Sequence, residues 1–331
     1  MSVLDCTDAL VENLNLVNSP EKHLMFRVVR GEVGHVTVFV DRHYQQGLLA
    51  QHSKRRADHE AFVNAVVASG SSVEDPSFKW PFPAWLQPED LNTDGIDPSG
   101  SDVWVHDGSI LNDDDSVTIK PSGAGNVGHD GTKYDCSQNM LIENMVMTGF
   151  GASVGSVGPG TDRPCVNNIT FRNITMPHSG KGVYVKSNGD PCTDGVSSSQ
   201  ISNIFYEGIH IIKPVWWAVW VGPQQQSEPY EKDENSGKCS LLYPINPHCP
   251  APACADFINI TLKDIVIEDP LMSPGIIMGN VSNPMDVHFV NVTVTGKLPK
   301  WPYGDDGYMV VATDGTCDEL TSPCPPTFTA A

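Results

Sequence analysis

Two acidic clusters hold the residue types that could do chemistry in this sequence: NTDGID at 92–97 and NDDDSVTIK at 112–120. A carboxylic acid beside a carboxylate is the pair that glycosidic cleavage requires, one to protonate the leaving oxygen and one to activate water. Neighbouring carboxylates repel, so one of them keeps its proton near neutral pH. Asp94 and Asp114 stand 20 positions apart, about one coil of a chain that returns to the same place one strand spacing away. Asp114 and Asp115 are adjacent and would face opposite sides of a regular strand, so both reach one site only where the backbone bends. Taken alone, three consecutive aspartates also read as a solvated turn or as oxygen ligands for Ca²⁺. Asn92 and Asp97 suit side-chain-to-backbone bonds that hold a turn.

The elements that would position these clusters recur along the chain as a cassette: Asn or Asp, alternating apolar residues, Asn or Gly, then a second apolar stretch. Copies read NMLIENMVMTG (139–149), NITFRNITM (168–176), NIFYEGIHII (203–212), NITLKDIVI (259–267) and DVHFVNVTVTG (286–296), starting about 27 to 35 residues apart with one longer gap. Weaker copies lie at 10–19, 33–41 and 102–111. Alternation with β-branched residues is the signal of a half-buried strand. Short strands at a near-fixed period, with few helices between, exclude βαβ units, and the scarcity of Asn-Gly hairpin turns argues against a β-sandwich. Stacked coils bury a continuous core that no single repeat can. The expected fold is all-β, a parallel β-helix running as one domain over 1–331. Two segments break the pattern and read as insertions rimming a groove. One, at 42–90, has Phe62, Ala65 and Val66 at helical spacing before the loop FKWPFPAWLQP; the other, at 223–256, is polar and contains cysteines.

The charge balance, 40 Asp plus Glu against 20 Lys plus Arg, argues against nucleic acid as a partner, since a phosphate backbone needs a cationic surface. Lys120, Lys181 and Lys186 are the local cations available to hold a carboxylated sugar. No apolar run approaches the roughly 20 residues of a membrane helix, so no membrane partner is expected. Among the 9 cysteines there is no CxxC pair and no zinc-type spacing; no metal or cofactor is expected. Cys239, Cys249 and Cys254 crowd one loop, Cys317 and Cys324 close a short span, and Cys165 and Cys192 flank another segment. Disulfides are expected, with Cys6 the odd thiol, and they imply an oxidising compartment. Sequons at Asn168, Asn173, Asn259, Asn280 and Asn291 point the same way, although the same triplets suit β-helix turns. A secreted, extracellular glycoprotein is therefore expected. The opening MSVLDCTDALVENLNLV has no basic stretch or continuous apolar core and reads as a strand, not a signal peptide. It is expected to begin partway into a larger protein, or after a lost export signal. A chain so opened would aggregate, and would be a monomer with its preceding coils present.

The order NTDG, N-x-DD, GFGASVGSVG (149–158) and GKGVYVKSN (180–188) resembles glycoside hydrolase family 28, the polygalacturonase-like right-handed parallel β-helices, from about residue 8 to about 295. The resemblance implies an inverting, pectin-cleaving hydrolase acting on polygalacturonan or a related polysaccharide. Asp114 would be the general acid, and Asp94 and Asp115 would activate the water. Where the family has Gly-His-Gly this chain has Gly149-Phe150-Gly151, and where the family has Arg-Ile-Lys it has Tyr184-Val185-Lys186. In the family that His and Arg orient the site and hold the substrate carboxylate, so the replacements bear on galacturonate specificity. The substrate-binding candidates are Asn92, Phe150, Tyr184, Lys186 and Trp217. Phe150 would stack on a sugar face and Tyr184 would donate a hydrogen bond; packing in the core or rim is the alternative for both. Trp217 sits in PVWWAVW with Trp216 and Trp220, where core packing competes with sugar stacking. Two other functions share this architecture: a glycan-binding β-helix without turnover, and a Ca²⁺-dependent lyase in which Lys186 abstracts a proton and the aspartates hold the metal.

Overall fold

The computed structural model describes residues 1–41, 92–188, 198–226, 239–240, 243, 249–250, 254–271, 274–279, 285–296 and 308–312. A ladder of long strands runs through it: Ser2–Glu12, Leu24–Gly34, Ile96–His106, Ser137–Met147, Cys165–Pro177, Ser199–Ile212, Ala255–Glu268 and Met285–Thr295. Each pairs in parallel with the next. A second parallel ladder stacks Val117–Ile119, Ala152–Val157, Val183–Ser187, Val219–Pro223, Gly275–Gly279 and Tyr308–Ala312. A third, shorter one joins Asn15–Val17, Thr37–Phe39 and Ser109–Leu111, then continues onto Val146 and Met147. All belong to one 17-stranded sheet. The chain is a parallel β-helix, as its periodicity predicts, and the described residues contain no helix. The helical spacing at Phe62, Ala65 and Val66, all of the 42–90 insertion and most of 223–256 lie outside the described residues.

The cassette's asparagines explain how one strand covers two faces. Asp102, Asn139, Asn168, Asn203 and Asn259 occupy one stacked column, and Asp107, Asn144, Asn173, Gly208, Asp264 and Asn291 another. Every one has positive φ, between 51° and 66°. The left-handed region is open chiefly to Gly, Asn and Asp, so these residues bend each long strand at fixed places without strain. Their side chains then bond between coils. The amide of Asn168 donates to Asn139 Oδ1 at 2.9 Å, Asn173 to Asn144 at 2.7 Å and Asn259 to Asn203 at 2.8 Å. Four of the expected sequon asparagines, Asn168, Asn173, Asn259 and Asn291, are thus ladder members; Asn280 lies outside the described residues.

Between the bends, alternate residues point inward and stack coil on coil. Ile142, Phe171, Tyr206 and Leu262 form one such column, with Phe171 and Tyr206 stacked at 4.8 Å. Each fully buried side chain of this kind contributes about 1.5–3 kcal/mol. Cys165 pairs with Cys136, one coil earlier, not with the Cys192 beside which the sequence grouped it. Cys239 pairs with Cys249, Cys254 is also disulfide-bonded, and Cys6 is free. Among the described residues no helix is long and apolar enough to cross a membrane.

Candidate active site

The two acidic clusters meet where the second ladder begins. Residues 112–116 form an irregular bend between the strands Ser109–Leu111 and Val117–Ile119. Asn112, fully buried, holds that bend: its amide donates to the carbonyls of Thr93, Asp114 and Asp115 at 2.9, 3.0 and 2.9 Å, and its Oδ1 accepts from Ser116 Oγ at 2.9 Å. The bond to Thr93 ties the bend to the NTDG segment one coil away. The amides of Gly95 and Ile96 complete the tie, donating to the carbonyls of Asp115 and Ser116. From the other side Phe150 N donates to the Asp114 carbonyl at 2.8 Å. A Cβ at Gly149, where φ is +51°, would collide with that carbonyl, so the glycine beside Phe150 is needed for the approach.

The bend is what lets adjacent aspartates reach one site. Asp115 N donates to Asp114 Oδ1 at 2.7 Å, and Asn92 N, at a φ of 88°, donates to Asp114 Oδ2 at 2.5 Å. Asp115 is buried; its Oδ2 accepts from Lys186 Nζ at 2.5 Å and its Oδ1 from Ser153 Oγ at 2.7 Å. Asp94 is buried and accepts from Lys120 Nζ at 3.1 Å, while Asp97 lies 3.6 Å from both Lys120 and Lys22.

The environments of these groups set unequal charge. Burial, then the negative charges of Asp94 and Asp115, push the Asp114 carboxyl up to about 7. Burial alone would raise Asp115 as well. The charges of Lys186 and Lys120, with the hydrogen bonds from Lys186 and Ser153, outweigh it and hold Asp115 below the usual carboxylate range. Asp97 is pushed well up by burial and by Asp94. Neighbouring carboxyls are thereby split into a proton holder and a carboxylate, the division acid–base chemistry uses.

Around them sit aromatic rings. Phe150 and Tyr184 meet edge to face at 6.0 Å. Lys181 is fully buried with Nζ 3.9 Å from the Phe150 ring centre and 4.4 Å from that of Tyr184, and it has no hydrogen-bond partner among the described residues. Burial, followed by the Lys186 charge, pushes its amine well below the usual lysine range. The Tyr184 hydroxyl accepts from Gln225 N at 2.8 Å, and Lys186 Nζ lies 4.2 Å from the Tyr184 ring. Trp217 has no exposed surface: it packs between Trp216 at 6.3 Å and Trp220 at 6.0 Å. It is part of a wall and presents no face to a sugar.

Some positioning residues escape sequence reasoning. His23 takes a hydrogen bond from Ser19 N on Nε2 at 3.2 Å, so its Nδ1–H donates to the Asp94 carbonyl at 3.0 Å. Ser153 joins the site through Asp115, 38 positions distant, and Asp97 through Lys120 and Lys22, 23 and 75 positions distant, contacts no local pattern announces. Asn112 had a signal, as the first residue of N-x-DD, and Asp97 as the last residue of NTDGID, there read as a turn residue.

The family model of glycosyl hydrolases family 28 matches residues 82–233. A probable rhamnogalacturonase E from Aspergillus flavus is 36% identical over 115 residues, 34% of this chain and 20% of that protein. Rhamnogalacturonase A from Aspergillus aculeatus is 32% identical over the same length, 21% of that protein. The chain thus spans about a fifth of the length of the curated relatives it matches. Among solved structures, an endo-xylogalacturonan hydrolase from Aspergillus tubingensis aligns over 100% of this chain and 67% of its own, at 18% identity and a TM-score of 0.47. The resemblance to glycosyl hydrolases family 28 therefore stands, over a stretch that contains Asp94, Asp114, Asp115, Lys181 and Lys186.

Proposed function

We propose that the chain hydrolyses a pectin-like polysaccharide, polygalacturonan or a related polymer, with inversion at the sugar carbon. Asp114 gives its proton to the glycosidic oxygen as the carbon–oxygen bond breaks. A water, oriented by Asp94 and Asp115, attacks the opposite face and passes its one proton to that carboxylate pair, which shares it. The observation that carries this reading is the unequal bonding of adjacent carboxyls: Asp115 accepts from Lys186 Nζ and Ser153 Oγ, whereas Asp114 accepts from the backbone amides of Asn92 and Asp115 and is pushed up to about 7. Asn92 and Phe150 line the approach to Asp114. Tyr184, Lys186 and Trp217 support that surface from behind, Lys186 through Asp115. Similarity to rhamnogalacturonases makes rhamnogalacturonan a second candidate polymer. In this reading the protein is a secreted single β-helix.

The test is reducing-end release by the full chain from polygalacturonan and rhamnogalacturonan, with and without a calcium chelator. Release that resists the chelator supports a hydrolase, and release that stops with it supports a lyase. Asp114→Asn is expected to abolish release while leaving the melting temperature in place. Folded protein that binds these polymers but cuts none of them would replace the proposal with a glycan-binding β-helix.

A further inference from the structure

The column of bend residues that carries asparagine at Asn13, Asn144, Asn173 and Asn291 carries different chemistry at His35 and Asp107. His35 stacks directly on Asp107, because Gly34 pairs with His106 across the coils, and both have a φ of 53°. Further along the same column Asn173 donates to Asn144 at 2.7 Å, the usual ladder bond. The residue preceding Asp107 is His106, and one ligand atom from each of His35, His106 and Asp107 lies within 4.8 Å of the others. No residue of this cluster belongs to the carboxylate site.

The cluster is held in place on every side. His106 is buried, and its ring lies flat against Trp104 at 3.7 Å. On the next coil Gly34 gives it room: a Cβ there would stand 2.8 Å from the ring. His35 meets it edge-on at 5.6 Å. The Nδ1 of His106 lies 2.8 Å from Asp107 Oδ2 and its Nε2 3.1 Å from Glu32 Oε1. A histidine with a carboxylate on one nitrogen is the arrangement that orients metal-ligating imidazoles. His35 and Asp107 are exposed, so an ion reaches the cluster from solvent, and the formal net charge of −20 draws cations towards it.

We propose that His35, His106 and Asp107 form a binding site for a divalent transition-metal ion of the zinc type, which pins two successive coils together at their corner. Imidazole nitrogens with one carboxylate oxygen suit such an ion, whereas calcium and magnesium prefer sets made of oxygen alone. On binding, the His106 nitrogen that faces Asp107 releases any proton to solvent and takes the metal. The other nitrogen keeps Glu32 as its carboxylate partner. The ion bridges strands whose residues Glu32 and His106 are 74 positions apart in sequence, so it closes a long loop and adds to stability.

The experiment is isothermal titration of the full chain, first freed of metal, with zinc chloride, alongside thermal melting and the visible absorption of added Co²⁺. The proposal expects one saturable equivalent of zinc, a raised melting temperature and cobalt bands of a nitrogen–oxygen site. His35→Asn, which restores the ladder residue, and Asp107→Asn should each weaken zinc binding about ten-fold or more. Both should melt like the parent chain in the absence of metal. His288→Asn, at an exposed histidine paired with Asp286 at 2.8 Å, should bind as the parent does. Absence of saturable binding, or unchanged affinity in both His35→Asn and Asp107→Asn, would show that the cluster is an ion-paired histidine only and overturn the proposal.

Discussion

Replacing Lys186 with methionine tests how the site sets its charges. Lys186 and Asp115 are both buried and bonded at 2.5 Å. Methionine keeps much of the stem's volume but leaves Asp115 with only Ser153 and the more distant Lys120. Removing one partner of a buried pair costs about 3–5 kcal/mol, because it strands the other charge. The sign with pH follows from the shifts. In the parent chain Asp115 lies below the usual carboxylate range, so its contribution is present above the unfolded value of about 3.9 and is lost as pH falls through its folded value. In Lys186→Met burial is no longer outweighed, and the folded carboxyl rises above the unfolded one. Folding then takes up a proton, and between pH 7 and the unfolded value of about 3.9 the variant regains up to about 1.4 kcal/mol relative to the parent for each pH unit. The assay is urea unfolding of both proteins at pH 7 and pH 5. A deficit below about 1 kcal/mol at pH 7, or one that does not shrink at pH 5, would refute the view that Lys186 holds Asp115 ionised.

Other outcomes follow from the same geometry. With Asp114 as the proposed acid, its carboxyl pushed up to about 7, hydrolysis should fall as pH rises through that value; a rate still climbing at pH 9 would remove Asp114 from the role. Asn112→Ala should cost about 3 kcal/mol in unfolding experiments, since its amide donates to the carbonyls of Thr93, Asp114 and Asp115. Ser153→Ala removes one of the bonds to Asp115 and should move the acidic limb of the profile, where the base ionises, to higher pH, at a stability cost of about 1–3 kcal/mol. Asn173→Ala, which breaks a ladder bond and puts alanine at a positive φ, should cost about 1–2 kcal/mol without altering any activity.

Most of the fold was legible in the amino-acid order. NITFRNITM alternates along its length, and its asparagines fall where the chain bends, so strand and corner are both written within nine residues. The same triplets read as sequons, and only the stacked columns reveal that Asn168 and Asn173 bond between coils. The candidate carboxylates were visible because NTDG and N-x-DD are compact motifs. Trp217 was not placeable: a tryptophan in PVWWAVW has the same local pattern whether it faces a groove or, as the structure has it, other indoles. Cys165 was grouped with Cys192 by proximity along the chain, whereas coil stacking brings it to Cys136, 29 positions earlier.

The difference is one of range. Strand periodicity and left-handed bends are properties of a few consecutive residues, so this sequence states that it coils in β-strands and where it turns. Protonation depends on whatever lies within a few ångströms, and here those neighbours are distant in sequence: Lys186 reaches Asp115 across 71 positions, and Lys120 reaches Asp94 across 26. Which of two adjacent aspartates keeps its proton, and which lysine is left among aromatic rings without a carboxylate, are settled only when the coils stack and exclude water.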